Sequence, residues 1–351
     1  MARKRKTLPK NFKELIESKD LAALKDVFDA CEISAYSGFN KDTALHFYHV
    51  PGELARWLVA QGADVNAREH YGRTPLHVQA TVGSDSVGVL LELGADVQAK
   101  SNYGDTPLHM AAGYHRDGAV RALVAHGADI HAKNKSGQTP LSYGLDRCRN
   151  IGISSMAVIS EFLLSAGAEI TPDMAESVER IGKQFEFSRA DFNKDYLAET
   201  DLGLMKLYAL FNVAPVARRQ MHDGTSPIRV PDGKWHEQHD VLWQFLVPGS
   251  GPAQTVQGEV IRLSGRLARE IMGNGGGNWD ADFRKMLDAL VKHFASGTPL
   301  GSDELEEAAN LAKRLRGGIG DDEPGRLMEL AVHWVKENPN PAPLGKPEYG
   351  R

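Results

Sequence analysis

The sequence predicts an all-α protein in two parts, a helical solenoid followed by an all-α helical domain. Two recurring phrases and the point where they stop predict it. Thr74-Pro75-Leu76-His77 returns as Thr106-Pro107-Leu108-His109, loosens to Thr139-Pro140-Leu141-Ser142, and has a degenerate forerunner in Thr43-Ala44-Leu45-His46. Gly62-Ala63-Asp64-Val65 keeps step with it through Gly94-Ala95-Asp96-Val97, Gly127-Ala128-Asp129-Ile130 and Gly167-Ala168-Glu169-Ile170. Successive copies lie about 31 to 33 residues apart, and the last interval stretches to roughly 40. Beyond Gly167 neither phrase returns, and apolar residues recur at helical spacing.

The N-terminus, residues 1–10, carries Arg3, Lys4, Arg5, Lys6 and Lys10 and no apolar stretch, so it is expected as a basic disordered tail rather than a signal peptide. Within each copy, Thr at the head of the first phrase can cap a helix, and the Pro beside it occupies the first helical position, where its missing N–H costs nothing. Leu76, Leu108 and Leu141 then point inward. A second helix supplies another apolar stripe: Trp57, Leu58 and Val59; then Val87, Leu90 and Leu91; then Val120, Leu123 and Val124; then Phe162, Leu163 and Leu164. Gly62, Gly94, Gly127 and Gly167 each end that helix where a left-handed residue is wanted. The polar, turn-rich segment from one Gly-Ala-Asp to the next Thr-Pro fits an exposed hairpin.

This alternation resembles the ankyrin-repeat family over residues 11–170, as a capping repeat (Asn11 to Ile33) and about four repeats. The fourth copy departs from the pattern, because Cys148 to Ser155 intrudes between its helices and Glu169 replaces Asp. The resemblance implies that His46, His77 and His109 are hydrogen-bonding struts between neighbouring repeats, strung along a solenoid rather than converging on a metal. It also implies a protein partner, gripped by hairpin tips and the concave face of the first helices. The tip candidates are Arg68, His70, Tyr71 and Arg73, then Asn102, Tyr103 and Asp105, then Asn134, Lys135 and Gln138; Gln79, Met110 and Tyr114 are concave candidates.

After the array, residues 171–214 are expected as a helical cap. Thr171-Pro172 opens a helix toward Phe187 with Met174, Val178, Ile181 and Phe185 on one side, and a second apolar helix covers about Leu202 to Phe211. The Pro- and Gly-containing stretch 215–234 reads as a loop or linker. Residues 235–337 read as a C-terminal helical domain: a helix over Glu237 to Leu246, a long one capped by Thr255 and running through Met272, one from Asp280 to about Phe294, one headed by Ser302, and a last from about Pro324 to Glu337. The Pro-rich stretch 338–351 is expected to be disordered.

Two places in this half can carry chemistry. Glu259, Arg262, Arg266 and Arg269 share one side of the long helix, either as an ion-pair ladder or as an arginine clamp for a phosphate or carboxylate. The glycine run Asn274 to Asp280, including Asn278, follows a helix and lacks the Lys-Ser/Thr ending of a phosphate-binding loop, so it reads first as a connector with Trp279 beneath it. If the long helix folds back on its successor, Glu259, Arg262, Arg266, Asn278 and Asp280 form the best candidate ligand or anion site. His236 and His239 lack zinc-protease spacing and read as surface histidines.

Composition bounds the rest. The chain of 351 residues carries a net charge of -5 and two cysteines, and it has no apolar run long enough for a bilayer. Basic and acidic residues balance at 19 each over 1–171 and stand at 22 against 27 over 172–351, so the body lacks the basic footprint of a nucleic-acid binder. Two cysteines fit a reducing, cytoplasmic setting. No cofactor, metal or catalytic residue is implied. The leading expectation is a protein-interaction adaptor, with a bacterial immunity protein, antitoxin or effector as settings. The alternative is an enzyme or small-ligand receptor with its site in the C-terminal half.

Overall fold

The computed structural model describes residues 3–350, with Ser84 and Asp85 described for the backbone alone. Met1 and Ala2 of the basic tail, and Arg351, lie outside the described residues. The chain divides into two compact units, Met1–Phe185 with Asn193–Val216, and Glu186–Phe192 with Ala217–Arg351.

The first unit opens with β1 (Arg5–Thr7), α1 (Phe12–Ser18), α2 (Leu21–Ala30), β2 (Cys31–Ser37) and β3 (Asp42–Thr43). β1 pairs parallel with β2, placing Arg5 opposite Cys31, and β2 pairs antiparallel with β3. Lys4 Nζ donates to the Phe28 carbonyl at 2.6 Å. Residues 3–10, expected as disordered, are therefore tied to a sheet edge. The reason is nonlocal: the partner strand lies some two dozen residues away and leaves no mark on the tail's own composition.

The repeats follow as helix pairs. α3 (Gly52–Ala60) is preceded only by a one-turn 3-10 helix, Ala44–His46. The next pairs are α4 (Pro75–Ala80) with α5 (Ser84–Glu92), α6 (Pro107–Gly113) with α7 (Asp117–Ala125), and α8 (Pro140–Arg147) with α9 (Ile153–Ser165). Leu76, Leu108 and Leu141 are fully buried. Gly62, Gly94, Gly127 and Gly167 take φ of 82 to 99°, the left-handed conformation in which a helix stops.

The histidines of the phrase join one repeat to the next. His46, His77 and His109 accept the N–H of their own repeat's Thr43, Thr74 and Thr106 on Nδ1 at 3.1 to 3.2 Å. Their Nε2 atoms donate to the carbonyls of Arg73, Asp105 and Gln138 in the following repeat at 2.9 to 3.1 Å. Ser142 keeps only the local half, accepting from Thr139 N at 2.9 Å. The strut series ends there, and α10 (Pro172–Ser188) covers that repeat instead: Arg180 donates to the Leu145 and Asp146 carbonyls at the end of α8, both at 2.9 Å. α11 (Lys194–Leu210) starts earlier than the expected Leu202, capped by Asn193, whose side chain accepts from Asp195 N at 3.0 Å. It lies against α9 so closely that a Cβ on Gly203 would meet Ser154 Cα at 2.9 Å.

The second unit holds α12 (Trp235–Leu246), α13 (Val256–Ala268), α14 (Ala281–Phe294), α15 (Ser302–Leu315) and α16 (Glu323–Glu337). α13 is central, packed on α12, α14 and α16, with even its polar residues Glu259, Arg262 and Ser264 buried. It ends in a π-helical turn, Arg269–Gly273. The loop before α12 is fastened down: Arg219 donates to the Trp243, Gln244 and Val247 carbonyls at the C-terminus of α12, where a cation complements the helix dipole. Residues 338–350, expected as disordered, form a strap across α13. Gln257 donates to the Asn338 and Asn340 carbonyls, Val256 N bonds to Ala342 O at 2.8 Å, and Tyr349 Oη donates to Glu259 at 2.6 Å. Proline content says nothing of these partners, which lie 80 to 90 residues away.

Candidate functional site

Each hairpin of the array is built around one side-chain oxygen at the same repeat position. Glu69 Oε1 accepts from Tyr71 N and Arg73 N at 3.0 Å, Ser101 Oγ from Tyr103 N and Asp105 N at 3.2 Å, and Asn134 Oδ1 from Ser136 N and Gln138 N at 3.0 Å. Each turn closes on a glycine of positive φ, namely Gly72, Gly104 and Gly137. The tips are then laced edge to edge. His70 N donates to Asn40 O at 2.7 Å, Asn102 N to Tyr71 O at 2.8 Å, and Lys135 N to Tyr103 O at 2.9 Å. Gly104 sits where a Cβ would meet Lys135 N at 2.9 Å.

This lacing sets the turn pairs Phe39–Asn40, His70–Tyr71, Asn102–Tyr103 and Lys135–Ser136 in a row. The row is aromatic at one end: Phe39 is 77% exposed and Tyr103 60%, and the His70 ring lies 4.9 Å from Phe39 and 5.2 Å from Tyr71. Arg68 is exposed, and its guanidinium spans from the Gly72 carbonyl to the Lys100 carbonyl of the next repeat. Arg73 is half-buried, bound to Glu69 at 3.1 Å and set over the Tyr71 ring. Phe39 was not among the sequence candidates. Its hairpin precedes the degenerate phrase, and only the turn Gly38 to Lys41 marks it.

Several candidates serve the scaffold instead. Gln79, expected on the concave surface, is buried and donates to the Leu45 and Phe47 carbonyls of the preceding repeat. Met110 is buried. Asp105 is buried too and accepts from Asn134 Nδ2 at 2.9 Å. Asn134 and Gln138 are half-buried and bonded to each other across their own hairpin. A first helix six to eight residues long turns fewer positions outward than its sequence pattern implies. The exposed set that remains is Arg68, His70, Tyr71, Asn102, Tyr103, Tyr114 and Lys135.

A groove of about 690 Å³ adjoins this row, lined among others by Ile16, Phe47, Tyr48, His49, Val78 and Tyr114. It opens where the first helix of the first repeat is a single turn, after which the chain passes through a bend at Phe47 and a turn over Tyr48 and His49, the latter at φ 60°. Sequence reasoning missed it, although the absence of Pro at Ala44 was the available signal. Asp42 also lines the groove, and burial with the nearby Glu69 charge pushes its carboxyl above the ordinary range.

The C-terminal candidates separate. Glu259 is fully buried and accepts from Arg262 at 2.6 and 2.8 Å, from Tyr349 Oη and from Ala253 N. It is a structural carboxylate, not a ligand group. Asp280 caps α14, accepting from Asp282 N and Phe283 N. The glycine run does cradle an anion, but the anion is Glu270: Asn278 N, Asn278 Nδ2 and Asn274 Nδ2 all donate to its carboxylate. Trp279 stacks on Phe283 and donates to the Arg316 carbonyl. Arg262, Arg266 and Asn278 do line one pocket. His239, expected at the surface, is buried against Ser264 Oγ at 3.0 Å, and burial lowers its pKa to about 4. Cys148 is buried with its thiol pushed up to about 12 by burial, which removes it as a nucleophile. Among the described residues no cluster of three or more His, Cys, Asp or Glu can hold a metal ion, and no helix is long and apolar enough to cross a membrane.

Two family models match the chain. Residues 5–101 match ankyrin repeats (3 copies), and residues 90–143 match ankyrin repeats (many copies). No curated protein matches it.

Proposed function

We propose that the ankyrin-repeat array of the N-terminal region docks a protein partner against its hairpin tips and the adjoining concave groove, and that the chain acts as an interaction adaptor. Ankyrin repeats are protein-interaction modules, so the coarse role is protein binding. The observation that carries the finer reading is the aromatic row Phe39, His70, Tyr71 and Tyr103, held in register by backbone bonds and left open to solvent. Aromatic side chains bring large contact area with few rotors to freeze, which is why they dominate the energetics of interfaces. The backbone lacing supports the same reading, since a rigid row loses little freedom on binding. An immunity protein, an antitoxin and an effector would each use the array in this way, and the partner's identity chooses among them.

The test is site-specific photo-crosslinking in the native cell. A crosslinker placed at Tyr103 or Tyr114 captures one discrete protein, whereas the same group at Ala125, exposed on the outer helix α7, captures none. Equal capture from all three positions, or capture from Ala125 alone, removes the proposal.

A further inference from the structure

We infer that the C-terminal unit carries a second binding site, a small pocket around His222 that takes an apolar amino acid. The site is independent of the docking array. The pocket measures about 250 Å³, below the roughly 300 to 1,000 Å³ of pockets that hold drug-sized ligands. His222, Arg219, Asp191 and Thr255 line it, with Met221 and Leu246 among its apolar residues.

His222 points to a ligand because its ring is only half satisfied. The ring packs edge-on against Phe245 at 5.0 Å, and the main-chain N–H of His222 donates to the Phe245 carbonyl at 2.9 Å. Nδ1 accepts from Gly224 N at 3.0 Å, so the neutral ring carries its proton on Nε2. That N–H is buried, on a side chain 5% exposed, and has no hydrogen-bond partner among the described residues. A buried donor without an acceptor is destabilising, and a ligand oxygen in the pocket relieves it.

The surrounding charges select the ligand. Thr255 caps α13, accepting from Gly258 N at 3.1 Å, so the positive end of a 13-residue helix adjoins the pocket. A carboxylate suits both this helix end and the Nε2 donor. Arg219 and Asp191 are the charged residues of the lining, and Asp191 acts on Arg219 electrostatically. Among the described residues no ion pair joins the two. The Arg219 guanidinium is bonded to the Phe187, Trp243, Gln244 and Val247 carbonyls, so it brings charge to the pocket rather than donors. Asp191 is exposed and can meet a cation. A lining with one charge of each sign is matched by a ligand with one charge of each sign, its carboxylate toward His222 and its ammonium toward Asp191. Met221 and Leu246 leave an apolar wall for the ligand's side chain.

The experiment titrates the full chain by calorimetry with L-leucine, with isocaproate, which lacks its amino group, and with isoamylamine, which lacks its carboxylate. Nitrogen-edited NMR of the histidine rings follows the same titrations. Leucine is expected to bind saturably at one site and to shift the His222 Nε2 resonance. H222N keeps an acceptor for Gly224 N and removes the Nε2 donor. It is expected to weaken leucine roughly tenfold or more, as for loss of a hydrogen bond to a charged group. D191N is expected to weaken it about threefold, as for loss of an exposed ion pair. D240N, at an exposed position outside the pocket, leaves it unchanged. Asp191 is exposed, so D191N keeps the fold and decides the matter even if H222N is unstable. Absence of saturable leucine binding, a His222 resonance unmoved at saturation, or binding that survives D191N undiminished overturns the site. Isocaproate or isoamylamine binding as tightly as leucine overturns the assignment to an amino acid.

Discussion

His77 carries its ring proton on Nε2 and none on Nδ1, because Nε2 faces the Asp105 carbonyl and Nδ1 faces the Thr74 N–H. Protonating Nδ1 would set two donors against each other inside a dry repeat junction. Burial accordingly lowers the pKa of His77 to about 4, and lowers those of His46 and His109 for the same reason. The consequence for stability has a definite sign. Above pH 6.5 the histidines are neutral folded or unfolded, and the struts contribute fully. As pH falls from 6.5 toward 4, the unfolded chain takes up protons that the folded array refuses, and stability declines. His77 alone accounts for about 3 kcal/mol of that decline. Urea unfolding at pH 7.5, 6 and 5 should show falling stability, and H77S, which copies the local bond of Ser142, should flatten the profile. A profile unchanged by H77S would contradict the strut role.

At the scale of elements, two kinds of glycine hold the array together for different reasons. Gly127 ends α7 at φ 82° with open space around its Cβ position, so G127A should cost only the left-handed strain, about 1 kcal/mol. Gly104 has similar φ, but a Cβ there strikes the backbone of the next hairpin. G104A is therefore expected to cost at least about 2 kcal/mol and to loosen hydrogen-exchange protection at Lys135 N, whereas G127A leaves that amide protected. Equal cost and equal protection in the two variants would show that the tips are not laced. The repeat helices were legible in the sequence because Thr-Pro starts them, Gly stops them and Leu fills them, all local signals. Three features were less legible. The first repeat's inner helix shrinks to one turn, Gln79 is drawn inward to the Leu45 and Phe47 carbonyls, and Glu270 occupies the glycine run. The bonds of Gln79 and Glu270 are contacts that neither periodicity nor composition encodes, whereas the missing Pro at Ala44 was a local signal of the shortened helix.

Across the whole molecule, the two halves are stabilised differently. The array adds one repeat to the next through histidine struts and hairpin lacing, whereas the C-terminal unit closes around a buried ion pair. Glu259 and Arg262 depend on the strap for part of their satisfaction, so Y349F should cost about 2 kcal/mol by removing a hydrogen bond to a buried charge. Deleting residues 338–351 should cost more, since Gln257 and Val256 lose their partners as well. Thermal unfolding of the full chain reads both effects, and a deletion without effect would mean that the strap is incidental. The array's own role rests on surface side chains: Phe39, Tyr71 and Tyr103 are exposed, and the ring contacts described for them are with the His70 ring and Arg73 at the surface, so their loss should leave the fold intact. The most direct measurement is quantitative affinity capture of the crosslinked partner by the wild-type chain and by the F39A/Y71A/Y103A variant at matched melting temperature. The proposed docking predicts that the variant loses the partner by roughly a hundredfold or more, as when several interface anchors are removed together. Retention of the partner by a folded triple variant would contradict it.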